Sequence, residues 1–319
     1  MSSPQAPTAF VVTKEHLRFA EFCEACRRYQ YIGLCYGPPG VGKTLSARHH
    51  ANWARIEASL PTRDASTTAL VALLESHTIF YTPGVVNTPA QVAHDIGHLR
   101  SALRAIPVEE RERKHRVRLD KVRTQENAAE EERQRRIFTE LDWYADPPPQ
   151  ALTKPASRYV RLSRKYHQEI LKITDPTTLV IIDEADRLKM AALEQVRDIF
   201  DKGGIGIVLI GMPGMEKRLS RYPQLYSRVG FVHAFRPLNA DEVRQLLQHK
   251  WMPSGVGLPE DGWADVEALA ALIRITEGNF RLLHRLITQI ARVVQINALQ
   301  KVTSQVVDTA RESLVIGAV

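Results

Sequence analysis

Four short apolar runs are the first regular feature of this sequence. They lie at residues 31–36, 77–82, 178–182 and 205–211, and they are rich in β-branched, leucine and aromatic side chains. Runs of this length, bounded by polar residues, glycine or proline, are typical of buried strands. Longer stretches with apolar residues at helical spacing lie between and after them, so the pattern predicts an α/β fold.

Helical spacing predicts the elements around these strands. A first helix covers residues 13–29 with Thr13 as its N-cap, and another covers residues 88–105 with Thr88 as its N-cap. Further helices are predicted at residues 43–55, 157–173 and 189–201. Four more, at residues 239–251, 264–275, 279–298 and 304–312, predict a helical C-terminal segment.

A charged tract at residues 108–140 separates the second and third apolar runs. It carries ten Lys or Arg against nine Asp or Glu, so it is almost neutral as a whole. Because charges of both signs are interleaved, the tract favours a long exposed helix or a helical hairpin over disorder. The three prolines at residues 147–149 are predicted to end it.

A phosphate-binding loop follows the first apolar run. The pattern G-x-x-x-x-G-K-[ST] is matched by Gly37, Pro38, Pro39, Gly40, Val41, Gly42, Lys43 and Thr44, and Leu45 is assigned to the same site. Glycines let backbone N–H groups turn towards phosphates, and the helix that begins here directs its positive end at the anion. We expect Lys43 to reach the β and γ phosphates and Thr44 to bind Mg²⁺, so the chain is predicted to bind ATP or GTP.

The third apolar run ends in an acidic pair, Asp183 and Glu184. An aspartate at the carboxyl end of a strand is where a Walker B residue holds Mg²⁺ through water. Glu184 is placed to polarise an attacking water, a feature typical of ATPases. The alternative is an acidic cluster that only begins a helix.

Composition narrows the class of protein. The net charge of +7 allows a polyanionic partner without requiring one. Cys23, Cys26 and Cys35 are too few for a disulfide framework, and the first two have no second pair or nearby histidine pair to complete a zinc site. The sequence has no signal peptide pattern and no apolar run near the ~20 residues that a bilayer requires. We therefore expect a cytoplasmic protein.

Together these motifs resemble an AAA+ ATPase. The series of phosphate-binding loop, IIDEADRL, IGMPG and RYPQLYSRVGFVHAFRPL is similar to the ATPase subunits of transposons, of the TniB, TnsC and Mu B type. The resemblance covers residues 13–288 except the charged insertion at about 108–149. It implies a parallel five-stranded sheet flanked by helices and a small C-terminal helical lid. The implied domains are residues 1–30, an ATPase core at 31–237 and a lid at 238–319.

The resemblance also implies roles for two arginines. Arg228 matches the arginine finger that completes the site of a neighbouring subunit, and Arg281 matches the sensor on the lid that touches the γ phosphate. On the sequence alone, other arginines remain open, namely Arg218, Arg221, Arg274 and Arg285. Met212 stands where a polar sensor is usual, so hydrolysis is expected to be slow or to need a stimulating partner.

Two basic strips are candidates for DNA contact. The resemblance implies that segments between the second strand and Asp183 line a channel and touch the DNA backbone. The alternative is a solvated face with ion pairs along the helix, which we favour for residues 126–140. The candidate residues are Arg111, Arg113, Lys114, Arg116, Arg118, Arg158, Arg161 and Lys165.

Three functions therefore follow. The first is an ATP- and Mg²⁺-dependent DNA-binding regulator that oligomerises on double-stranded DNA, as a hexameric ring or helical filament, and recruits or activates a transposase. Its expected protein partner is the transposase or a transposition adaptor protein. The second is a helicase loader or a remodeller in replication or repair. The third is a nucleotide-gated assembly scaffold without a DNA role.

Overall fold

The structure is a computed structural model that describes residues 10–58, 67–140, 157–248, 251–253, 256–258 and 266–314. The chain forms two compact units. The first comprises the described parts of Met1–Trp53, Thr78–Ile96 and Thr178–Val319, and the second those of Ala54–His77 and Gly97–Thr177. Between residues 141 and 156, which include the three predicted helix-ending prolines, the chain lies outside the described residues.

A five-stranded parallel sheet forms the centre of the first unit. Its strands are β1 (Ile32–Tyr36), β2 (Thr78–Tyr81), β3 (Leu179–Ile182), β4 (Gly206–Gly211) and β5 (Val229–Ala234), in the order β2-β3-β4-β1-β5. The residues of β2, β3 and β4 are all buried, which explains their continuous apolar runs. The predicted fold class, an α/β fold with five parallel strands, is confirmed.

The fifth strand has a different pattern because it lies at an edge of the sheet. Among the strands of the described residues, β5 pairs only with β1, and its residues alternate between half-buried and exposed, with Val232 56% exposed. Half-buried edge strands follow a period of two instead of a continuous apolar run. The apolar pattern therefore located four strands, whereas the fifth followed only from the family resemblance.

Helices account for most of the remaining described residues. The helices are α1 (Lys14–Tyr29), α2 (Lys43–His50), α3 (Trp53–Glu57), α4 (Thr67–Ser76), α5 (Pro89–Glu140), α6 (Arg158–Leu171), α7 (Met190–Gly203), α8 (Met215–Leu219), α9 (Pro223–Tyr226), α10 (Ala240–Gln248), α11 (Val266–Thr276), α12 (Phe280–Ile296) and α13 (Ser304–Glu312). Three of them, α4, α8 and α9, were not predicted, because they are short or contain few charged residues.

The helix predicted at residues 43–55 is interrupted. α2 ends at His50, and Asn52 has a left-handed backbone with φ of 49° before α3 begins. Asparagine tolerates this conformation better than most residues, so it can turn the chain between two helices. The prediction of one continuous helix here was wrong, because helical spacing continues across the break.

α5 is longer than either segment predicted for it. Residues 88–105 and the charged tract form one 52-residue helix that continues through Pro107. In the second unit, ion pairs one turn apart line this helix, including Arg113 and Lys114 with Glu110. Of the two predicted arrangements, the described residues show the single long helix.

α6 packs beside α5 within the second unit. The rings of His115 and Tyr166 stack with their centroids 4.0 Å apart. Glu126 accepts hydrogen bonds from the Ser157 hydroxyl and from the backbone N–H groups of Arg158 and Tyr159. Glu126 therefore caps the start of α6. The prediction that residues 126–140 form a solvated charged face does not hold for Glu126.

α10 to α13 form a helical bundle that we call the lid. Its core includes Val243, Leu272, Leu283 and Ile287, all completely buried. α12 carries its buried residues at helical spacing, and Asn279 caps its first turn. The lid belongs to the first compact unit, together with the sheet.

Candidate nucleotide-binding site

The phosphate-binding loop joins the carboxyl end of β1 to the start of α2. Gly40 and Gly42 have φ angles of 83° and 105°, which residues with a side chain rarely adopt. Gly42 is the N-cap of α2, and Lys43 is its first residue. The loop therefore places backbone N–H groups and a helix N-terminus at one end of the sheet, an arrangement suited to phosphate.

Lys43 is buried and held by the loop. Its Nζ donates to the carbonyl of Gly37 at 2.6 Å and to that of Pro38 at 2.8 Å. Burial lowers the pKa of Lys43 from its usual value, and Asp183 opposes this shift. The ammonium is thus fixed beside the loop. A bound anion there would stabilise the positive charge that burial destabilises.

Thr44 and Asp183 meet across the site although 139 positions separate them. The Thr44 hydroxyl donates to Asp183 Oδ2 at 2.7 Å, and the Asp183 N–H donates to the Tyr81 carbonyl at 2.8 Å. Burial raises the pKa of the Asp183 carboxyl, and the Thr44 hydrogen bond opposes this. A cation would offset the cost of burying this carboxylate.

These two oxygen ligands fit Mg²⁺. Magnesium prefers hard oxygens and usually binds one or two protein groups, with water and phosphate oxygens completing its shell. Among the residues that the structure describes, no cluster of three His, Cys, Asp or Glu side chains is arranged to hold a metal alone. A Thr44 and Asp183 pair is therefore suited to a metal that arrives with a phosphate ligand.

Glu184 lies beside Asp183 in a left-handed conformation, with φ of 49° and ψ of 40°. Its N–H donates to Asp183 Oδ1 at 2.9 Å, and its carboxylate forms an ion pair with Arg187. A three-residue 3-10 turn, Ala185–Arg187, follows instead of an α-helix. The carboxylate is half-exposed and lines the same cavity as Lys43, within reach of solvent.

Met212 follows β4 at the position where a polar sensor was expected. Its backbone N–H donates to Asp186 Oδ2 at 2.8 Å, and its side chain lines the cavity. Arg218, one of the alternative arginines, donates to the carbonyls of Asp186 and Leu188. Arg218 is therefore engaged in fixing the turn after Glu184.

The start of α12 contacts the phosphate-binding loop. The Arg281 N–H donates to the Gly40 carbonyl at 3.0 Å, and Asn279 Nδ2 donates to the Pro39 carbonyl at 2.8 Å. Arg281 and Arg285 both line the cavity. Arg281 was predicted from the sequence, but Asn279 was not. The only sequence feature that indicated Asn279 was its place as the N-cap of a predicted helix.

Arg228 lies elsewhere in the first unit. Its guanidinium donates to both carboxylate oxygens of Asp201, at 2.6 and 2.8 Å, and to the Gln224 carbonyl. It is not among the residues that line the cavity. The structure therefore does not bring Arg228 to the site of its own chain.

One cavity of about 900 Å³ joins these groups in the first unit. The predicted residues on its wall are Pro39, Gly40, Val41, Gly42, Lys43, Thr44, Leu45, Asp183, Glu184 and Arg281, whereas Gly37 and Pro38 do not line it. Phe10, Val11, Trp251, Phe280 and His284 also line it, and sequence reasoning missed all five. An apolar wall beside a polar phosphate end suits a ligand with both characters.

The predicted DNA-contact residues all lie in the second unit and are exposed. Three of them are paired with acids of α5: Arg113 and Lys114 with Glu110, and Arg116 with Glu112 at 3.5 Å. Arg158, Arg161 and Lys165 lie on α6, which has no buried residue. Exposure leaves these cations accessible, although those on α5 are partly neutralised.

Comparison with known proteins gives similarities over most of the chain. The AAA domain family matches residues 26–219. A "Potential ATP-binding protein" of Staphylococcus aureus is 39% identical over 312 residues, covering 97% of each chain. The match to the AAA domain includes both the phosphate-binding loop and the acidic end of β3.

Two further similarities are partial or remote. The "Mu-like prophage FluMu DNA transposition protein B" of Haemophilus influenzae is 32% identical over 121 residues, which is 35% of this chain and 39% of that protein. The RuvB Holliday junction branch migration motor of Thermotoga maritima has 14% identity and a TM-score of 0.47, and the match covers 96% of this chain and 70% of that one. In the part of the chain that the structure describes, no helix is both long and apolar enough to cross a membrane.

Proposed function

Because this chain belongs to the AAA domain family, we propose that it is an ATP-dependent DNA-binding regulator that assembles on double-stranded DNA and recruits or activates a transposase. The observation that carries the ATPase part is the hydrogen bond between Thr44 and Asp183, beside the buried Lys43. The transposition part is supported by the partial similarity to a DNA transposition protein B.

Each group at the site has a distinct role in this proposal. Lys43 would neutralise the β and γ phosphates, and Thr44 and Asp183 would hold Mg²⁺, which would supply positive charge to the phosphate oxygens during transfer. Glu184 orients the attacking water and accepts its proton once its carboxylate leaves Arg187. Arg281 contributes a further guanidinium from the lid.

Assembly is proposed because Arg228 lies outside the cavity of its own chain. A guanidinium that completes the site of a neighbour would make each site depend on two chains. Repetition of one such head-to-tail contact produces either a closed ring, such as a hexamer, or a helical filament.

DNA contact is assigned to the second unit. The exposed cations at residues 111–118 of α5 and those of α6 would neutralise phosphates along a duplex without reading its sequence. The client is then chosen through protein contact, and a transposase is proposed as partner because of the partial similarity to a DNA transposition protein B. The TniB and TnsC likeness stays a prediction, since the similarity supports only the Mu B branch of that resemblance.

Retention of a transposase on DNA tests this function. Immobilised duplex is incubated with the protein, with the transposase proposed as its partner, and with either a slowly hydrolysed ATP analogue or ADP. We expect the analogue to retain both proteins and ADP to release them. With ATP itself, Glu184→Gln should retain both proteins for longer than the parental chain, because it binds ATP but lacks the group that activates water.

Lys43→Ala should retain neither protein, whereas Lys217→Ala removes an exposed lysine outside the cavity and should behave like the parental chain. Equal recovery of the transposase with the analogue and with ADP would favour a loader or a scaffold. Parental ATP hydrolysis by Glu184→Gln would show that another group activates the water.

A further inference from the structure

The lid holds the phosphate-binding loop by its backbone carbonyls. The Pro39 carbonyl accepts from Asn279 Nδ2 at 2.8 Å, and the Gly40 carbonyl accepts from the Arg281 N–H at 3.0 Å. Residues of the loop and of α12 that are 240 positions apart in the chain are thus joined by direct hydrogen bonds. A change in the direction of either carbonyl would therefore disturb a hydrogen bond to the start of α12.

Asn279 uses both ends of its amide. Oδ1 accepts from the N–H groups of Arg281 and Leu282, at 3.1 and 3.3 Å, which makes Asn279 the N-cap of α12. Only the NH₂ group can donate to a carbonyl, so these partners fix the orientation of the amide. One side chain therefore performs two separable tasks, capping the helix and holding the loop.

Holding the loop also fixes the direction of two of its backbone N–H donors. In a planar trans peptide the N–H points opposite to the C=O of the preceding residue. Holding the Pro39 carbonyl therefore fixes the direction of the Gly40 N–H, and holding the Gly40 carbonyl fixes that of the Val41 N–H. All three residues line the cavity, so these N–H groups belong to the part of the loop that would meet a bound phosphate.

The contact between Asn279 and the loop is close and largely shielded from solvent. Asn279 is 9% exposed, and a Cβ at Gly40 would lie 2.7 Å from Asn279 Oδ1 and 2.8 Å from Arg281 Cβ. Behind Asn279, Gly278 has φ of 72°, and a Cβ there would lie 1.7 Å from the Leu238 carbonyl oxygen. The turn before α12 is thus confined to one position against the loop.

We propose that Asn279 is a positioning residue for nucleotide binding, which orients the loop through the Pro39 carbonyl and couples its occupancy to the start of α12. The inference rests on the proposed function only in taking this loop as the ATP site. Coupling of this kind is reciprocal: the lid contact raises the affinity for ATP, and bound ATP stabilises the lid contact by the same factor.

Asn279→Ser separates the two tasks. Serine is as good an N-cap as asparagine, but its side chain is too short to reach the Pro39 carbonyl and adds no charge. We expect the dissociation constant for MgATP, measured by calorimetry, to rise about tenfold, the effect of losing one buried hydrogen bond. The unfolding midpoint without nucleotide should fall less than in Asn279→Ala, because serine keeps the cap and loses only the hydrogen bond to Pro39.

Hydrogen exchange reports the coupling directly. In the parental chain, MgATP should slow amide exchange in residues 276–283, which include the turn before α12 and its first residues. In Asn279→Ser this difference between the ATP-bound and free states should largely disappear. A purely structural role would change exchange in both states equally.

Thr303 provides the matched control, because its side chain caps α13 of the lid by accepting from the Val306 N–H. Thr303→Ala should lower the unfolding midpoint without changing the affinity for MgATP. Asn279→Ala should do both, since it loses the cap and the loop contact together.

The results distinguish the inference from the proposed function. If the parental chain binds no MgATP, the proposed function fails and the inference fails with it. If the parental chain binds MgATP, and Asn279→Ser keeps both the parental affinity and the ATP-dependent protection, only the inference is overturned. Parental affinity for MgATP in Asn279→Ala, despite its lower midpoint, would show that Asn279 acts as a cap alone.

Discussion

At the scale of single residues, His16 makes the stability of the protein depend on pH. It lies 5% exposed in α1, next to the ring of His49, and its Nδ1 has no hydrogen-bond partner among the described residues. Burial, followed by the charges of His49 and His50, lowers the pKa of His16 to about 4. Between that value and the usual 6.5, the unfolded chain binds the proton more tightly than the folded chain does.

This contribution to stability is complete above pH 6.5 and is lost as the pH falls towards 4. Acidification from about pH 7 to about pH 5 should therefore lower the free energy of unfolding by up to about 2 kcal/mol through His16. His50 and His233, whose pKa values burial also lowers, act in the same direction.

Denaturant titrations at both pH values measure this effect. The free energy of unfolding should decrease less in His16→Asn than in the parental chain, whereas His167→Asn, at an exposed position of α6, should show the parental decrease. Equal decreases would contradict this assignment.

Residue patterns predicted the polar centre of the site better than its walls. Lys43, Thr44 and Asp183 belong to local motifs, and the structure brings the last two within 2.7 Å. The contacts of Asn279 with Pro39 and of Arg228 with Asp201 join distant parts of the chain. No local pattern specifies such pairs, because an asparagine at a helix start or an arginine on a surface has many uses.

At the scale of elements, buried strands and capped helices were predictable, and breaks within helices were not. β3 and β4 are continuous apolar runs because both faces of a parallel sheet are covered. The division at Asn52 depends on one backbone angle, and the length of α5 depends on a helix that continues through Pro107. Proline lowers the stability of a helix interior without always ending it, so it is a weak boundary signal.

α6 gives a prediction that belongs to a single helix. Replacing Arg158, Arg161 and Lys165 by Ala should lower the affinity for all duplexes alike and flatten the plot of log affinity against log salt concentration by about 2 to 3 units. The control replaces Arg133, Arg136 and Lys202, which are ion-paired along their own helices, and it removes the same net charge. If both triple variants flatten the plot equally, the effect follows from net charge and not from contact by α6.

At the scale of the whole molecule, Arg228 predicts that one chain alone has an incomplete site. Lys43→Ala lacks the phosphate-binding cation, and Arg228→Ala lacks the cation proposed to reach a neighbour, at a cost of about 10³ to 10⁵ in rate. Each variant should therefore be almost inactive alone. If the finger acts between chains, mixing equal amounts should leave about a quarter of the interfaces with both groups intact, so ATPase activity should return.

Arg197→Ala is the control for this mixture, because Arg197 also contacts Asp201 but is paired within α7. It should keep most of its activity alone, which separates loss of the finger from disturbance of the Asp201 region. Mixed assembly is verified with two affinity tags before activity is read. Mixed assemblies without recovered activity would place the second cation within one chain, and Arg285, which already lines the cavity, would then be the residue to replace next.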